Sequence, residues 1–144
     1  MSLSPQGVPM IWRIEFSSTK FLPTLPEACQ AGPGSYGFEL ALWLAQSLCR
    51  QGIVTSYPNG DDWGWCLDYE PSGDCSFVIG CASQCCAQAG YDGRPVCWSV
   101  FIRERRGLER RIRNVSNQDA LEALGRQIVE LLRAEKIEPG QLAN

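Results

Sequence analysis

Asp61-Asp62-Trp63-Gly64-Trp65 is the most chemically dense string in the chain. Two adjacent carboxylates beside two indoles suit an acidic, aromatic anchor for a basic partner, because large rings are typical interface anchors. Acid–base catalysis would need two carboxylates at a set separation with one pKa displaced, and neighbours at a strand start diverge. The packing reading of the same string puts both tryptophans in a core, with the aspartates solvating a turn. Cysteines form a second group: Cys29, Cys49, Cys66, Cys75, Cys81, Cys85, Cys86 and Cys97. Four of them, Cys81, Cys85, Cys86 and Cys97, are the alternative metal site, since zinc favours tetrahedral thiolate sets. The spacing argues against it, because it holds no Cys-x-x-Cys pair. A thiol switch needs a lowered pKa, for which Arg94 is the nearest source. Reduced, incidental thiols remain the simplest reading.

The chain has no histidine. Ser-His-Asp triads, Cys-His dyads and His metal ligands are thereby excluded. No Gly-rich phosphate loop occurs either: Gly32-Pro33-Gly34 lacks the Lys-Ser/Thr that a P-loop requires. The expectation is a protein with no catalytic residues and no cofactor.

Charge is unevenly spread. The net charge is −3, yet residues 51–93 carry six acids and no Lys or Arg, while residues 94–113 carry seven arginines and two glutamates. Either the two segments neutralise each other across strands, or they form separate patches. The weakly acidic total gives no global attraction for nucleic acid, and no run approaches the ~18 apolar residues of a membrane span. Residues 1–12 show no basic and then apolar leader pattern, so a cytoplasmic location with reduced thiols is expected.

The elements that must hold these residues read as follows. Trp12, Ile14 and Phe16 alternate with polar neighbours over 9–17, a strand. The stretch 17–36 holds three prolines and two glycines among its later residues and reads as a long loop. Residues 37–51 read as a helix with a stripe of Phe38, Ala41, Leu42, Ala45, Leu48 and Cys49, and Gly52 suits its C-terminal end. Trp43 then lies roughly 160° from that stripe at 100° per residue, which marks an interface or cover from the 17–36 loop. Residues 53–57, 62–70, 75–82 and 95–105 read as four strands. Trp63, Trp65, Leu67 and Tyr69 share one face of the second of these. Residues 116–134 read as a helix with Ser116 as N-cap, on a stripe of Leu121, Leu124, Ile128, Leu131 and Leu132. The tail 138–144 reads as flexible.

At 144 residues the chain suits a single domain, 1–144. The order β-α-β-β-β-β-α predicts an α+β two-layer sandwich: an antiparallel sheet of four to five strands with both helices on one face. The other face would show Cys66, Asp68, Glu70, Ser76, Val78, Ser99, Phe101 and Arg103. An uncovered, mixed sheet face is a natural place for a partner. The candidate partner-binding residues are therefore Asp61, Asp62, Asp68, Glu70, Phe101, Arg103 and Trp43.

Gly37-Phe38-Glu39-Leu40-Ala41, followed by Gly52 and the Asp61-Asp62-Trp63-Gly64-Trp65 string, resembles small bacterial proteins of an uncharacterised family. In that family a Gly-x-Glu-Leu-Ala helix leads to an acidic-Asp-Trp-Gly-Trp strand. The similarity covers residues 11–82, with Asp61 standing where the family has glutamate. Some small bacterial proteins of this build are similar to toxin-neutralising immunity proteins. The resemblance thus implies a non-enzymatic protein that binds another protein, with an immunity-type role as its narrower form. The alternative is a cysteine-based metal-binding or redox-responsive protein.

Overall fold

The computed structural model describes residues 11–24, 26–31, 35–72, 75–83, 95–105 and 118–141. In chain order these form strand β1 (Ile11–Ser18), a single 3-10 turn at Glu27–Cys29, helix α1 (Phe38–Arg50), and strands β2 (Asn59–Asp61), β3 (Gly64–Ser72), β4 (Cys75–Ser83) and β5 (Val96–Glu104). Helix α2 (Gln118–Ala134) and the two-residue strand β6 (Gly140–Gln141) follow. The expected α+β class, antiparallel sheet and β-α-β-β-β-β-α order are all present, extended by β6. The strands lie side by side as β2-β3-β4-β5-β1-β6, every pair antiparallel.

Period-2 alternation builds the core. Trp12, Ile14 and Phe16 of β1, Leu67 of β3, Phe77, Ile79 and Cys81 of β4, and Trp98, Val100 and Ile102 of β5 are all buried. α1 packs on β3 and β4, α2 on β5 and β1, and the two helices touch. Both helices therefore cover the same face. Each buried aliphatic or aromatic side chain contributes roughly 1.5–3 kcal/mol of transfer free energy.

α1 turns a different side to the sheet than its spacing suggested. Leu40, Ala41, Leu44, Ser47 and Leu48 are its buried residues; Leu42 and Ala45 are half-buried and Cys49 is exposed. The reason is that this helix is apolar around more than half its circumference, so two stripes meet the 3–4 spacing rule. The loop before it takes up the second side: Phe21 is buried and its ring lies 4.9 Å from that of Trp43. Trp43 is thus half-buried under loop cover. The loop is tied down again at Glu39, whose Oε2 accepts hydrogen bonds from the Thr24 backbone N–H (2.8 Å) and hydroxyl (2.7 Å). α2 keeps its expected stripe, except that Leu131 is half-buried and Gly125 joins the buried set. A Cβ at Gly125 would overlap the Trp12 indole.

Three further boundaries differ. Residues 53–57 are irregular, and the short strand falls at Asn59–Asp61. Only Ser56 of that stretch bonds to β3, through its N–H to the Asp68 carbonyl (2.9 Å) and its Oγ to the Asp68 N–H (2.9 Å). β3 begins at Gly64, so Asp62 and Trp63 form the turn between β2 and β3. Part of the expected flexible tail is ordered, since Gly140 and Gln141 pair with Glu15 and Ile14. Ser116 lies outside the described residues, as do Gly73 and Asp74 between β3 and β4. No described helix is long and apolar enough to cross a membrane.

Candidate binding surface

The face of the sheet away from the helices carries the site. Strand register sets its layout. One row across it reads Asn59, Cys66, Gly80, Phe101, Arg13, and the next reads Asp68, Val78, Arg103, Ile11. Asp61, Asp62, Glu70, Arg13 and Arg103 are exposed; Cys66, Asp68 and Phe101 are partly so.

Trp63 is the residue that the alternation misplaced. Because it belongs to the turn, its ring is free of the strand's side assignment. It packs on Phe101 of the outer face, ring centroids 5.1 Å apart and tilted by 49°. Trp65, two residues on, points to the helix side and meets Phe38 of α1 at 5.2 Å. The signal for this split was Gly64. Its φ of +158° is glycine territory, and a Cβ there would sit 2.5 Å from the Cys81 carbonyl oxygen. A glycine held that way marks the turn exit.

The ring pair rests on small residues. A Cβ at Gly80 would overlap the Phe101 ring, so glycine lets that ring lie flat across β4. Offset and tilted aromatic pairs gain about 0.5–1.5 kcal/mol beyond area burial. Half-buried as a pair, Trp63 and Phe101 still present apolar surface to solvent.

Charges surround the rings. The Asp62 N–H donates to Asp61 Oδ1 at 2.8 Å, which holds the first carboxylate against its own turn. Asp68 pairs with Arg105 (3.1 Å) across β4, and the Arg105 N–H donates to the Ser76 carbonyl (2.7 Å). The acidic and arginine-rich segments thus meet at one point, as the neutralising reading expected. With both partners largely exposed, that pair stabilises by at most about 1 kcal/mol. Arg94 and residues 106–113 lie outside the described residues.

Cys66 sits amid these charges. Partial burial pushes its thiol pKa up, Asp68 and Asp61 push it further, and Arg105 and Arg103 oppose them. Burial also raises the Cys81 thiol, with a smaller push from Cys66. Neither is a ready thiolate at neutral pH. Cys81 is buried on the helix face, whereas Cys97 is exposed on the outer face, so these two members of the four-cysteine alternative lie on opposite sides of the sheet. Cys85 and Cys86 fall outside the described residues. Among the described residues no three His, Cys, Asp or Glu gather as a metal site would need.

The structure puts Asp61, Asp62, Asp68 and Arg103 on the same side of the sheet as the Trp63–Phe101 pair and leaves Glu70 further along β3. Trp43 lies apart, on α1. Sequence reasoning missed Trp63, Arg13 and Arg105 as members. An open groove of about 600 Å³ runs along α2, lined by Trp12, Arg126, Gln127, Glu130 and Arg133 among others. Its one carboxylate is tied to Arg133 (3.4 Å). Comparison of the chain with protein-family models, with curated proteins and with solved structures finds no match.

Proposed function

We propose that the chain is a non-enzymatic protein-binding module, acting in the cytoplasm, whose binding surface is the outer face of the sheet. The observation that carries this is the Trp63–Phe101 pair, held 5.1 Å apart over Gly80 on the face opposite the helices. Aromatic anchors ringed by charged groups are the usual anatomy of an interface centre and rim. The carboxylates support the same reading. Asp61 and Asp62 are exposed and adjacent, whereas hydrolysis needs two carboxylates set apart on either side of the bond they cleave. The sequence resemblance carries the narrower form, an immunity-type protein that neutralises a bacterial toxin.

Affinity capture from a lysate of the source cells tests it. Trp63→Ala with Phe101→Ala should lose a partner that the wild-type chain retains, while far-ultraviolet circular dichroism stays unchanged. Retention of the same partner by the folded double variant contradicts the proposal. For the narrower form, co-expression with a toxin encoded beside the gene should restore growth for wild type and not for the double variant.

A further inference from the structure

Asn59 and Gly60 sit on the open edge of the sheet. β2 is the first strand in the order, and all three of its residues are exposed. Only Asp62 and Trp63 separate the paired Asp61 and Gly64. In such a hairpin the closing pair exchanges both backbone hydrogen bonds and the next pair exchanges none. Gly60 and Trp65 are that next pair, so the Gly60 N–H points away from β3, out to the edge. The Trp65 ring faces Gly60 on the helix side and leaves that edge clear. Asn59 belongs to the outer face, in the row with Cys66, and its amide donates one long hydrogen bond, to Ser56 Oγ (3.3 Å).

An asparagine followed by glycine can close a ring on itself. The backbone nitrogen of the glycine, once its proton is lost, attacks the side-chain carbonyl carbon of the asparagine. Glycine permits this because it has no Cβ to block the approach and its backbone turns freely. Asn59 is the one asparagine of the chain that precedes a glycine; Asn114 and Asn117 precede Val115 and Gln118. A nitrogen locked in a ladder hydrogen bond could not attack, and that of Gly60 is not so locked. Ring closure also requires Asn59 to leave its extended backbone. β2 is three residues long with no buried side chain, the kind of segment that opens locally at small cost.

We propose that Asn59 is a site of spontaneous modification, converted through a cyclic imide to aspartate and isoaspartate. In the first step Gly60 N bonds to Asn59 Cγ, the Cγ–Nδ2 bond breaks, and ammonia leaves with the proton that Gly60 gave up. Water then opens the ring. Attack at Cγ leaves aspartate. Attack at the main-chain carbonyl carbon leaves isoaspartate, whose backbone runs through Cγ and is longer by one methylene. Water is the only co-reactant, and nothing is oxidised or reduced. Either product adds a carboxylate to the outer face two residues from Asp61, in the row that runs through Cys66 and Gly80 to Phe101. The chemistry is independent of what that face binds.

Peptide mapping by mass spectrometry, with isoaspartyl methyltransferase labelling, tests it on the full folded chain held in mildly alkaline buffer under reductant. A sample unfolded in guanidinium runs beside it until that sample has converted Asn59. The expected result is aspartate and isoaspartate accumulating at residue 59 of the folded chain as well. Gly60→Ala should convert several-fold more slowly. Its Cβ would meet the Trp65 ring at an ordinary 3.6 Å, so the variant should fold. A folded wild-type chain that keeps Asn59 intact over that time overturns the proposal, as does folded Gly60→Ala converting at the wild-type rate.

Discussion

Two tryptophans two residues apart do opposite work. Trp65 packs on Phe38 under α1, and Trp63 packs on Phe101 in the open. Period-2 alternation correctly gave Trp65 to the helix side, where it packs half-buried against the core, and gave Trp63 to that side wrongly, because alternation holds only where the strand does. The sequence shows the string but not the strand's first residue. Trp65→Ala should cost about 3 kcal/mol or more in a denaturant melt, as a ring lost from beneath a helix. Trp63→Ala should cost about 1 kcal/mol. Equal losses would return Trp63 to the core. The thiols make a second residue-scale expectation. Cys66 and Cys81 hold their protons more tightly folded than unfolded. Below the ordinary thiol pKa of 9.0 both states are protonated and nothing is lost. Above it the unfolded chain releases protons that the folded chain keeps, so stability falls as pH rises. Melts at increasing pH above that point should show the fall, with a shallower slope for Cys81→Ala. A flat wild-type profile would contradict it.

Elements were legible where one pattern dominated. β5 alternates cleanly and α2 has one stripe, whereas β4 is buried without a break from Phe77 to Cys81, with Val78 on the outer face buried too. α1 was ambiguous, because a helix covered by a sheet on one side and by a loop on the other is apolar on both. β6 was invisible: Gly140–Gln141 has neither length nor pattern, and only its pairing with Ile14 and Glu15 defines it. Gly125 shows what propensity misses. In a helix interior Gly→Ala ordinarily gains about 1 kcal/mol. Here the added methyl would overlap the Trp12 ring, so Gly125→Ala should lower the melting temperature. Combining it with Trp12→Leu should cost less than the two single changes added together, because both act on one contact. A stabilised Gly125→Ala variant would show that Trp12 can step aside at no cost.

At the scale of the whole molecule, the layers followed from the element order and the division of the apolar faces. Composition foretold two segments of opposite charge, and the fold shows them touching through Asp68 and Arg105. What composition could not show is which charges share the outer face, Arg13 and Glu15 of β1 among them, because that depends on register across five strands. Nor could it place Arg13, distant in sequence, directly opposite Phe101. On the proposed function, the outer face binds a partner and the helix face holds the fold. A denaturant melt and a binding assay on one preparation of Trp63→Ala with Phe101→Ala test both halves together. The expected result is a loss of about 1–2 kcal/mol in stability and the disappearance of partner binding. A melt lowered by about 3–5 kcal/mol, as for core aromatics, or binding that survives intact, would contradict it.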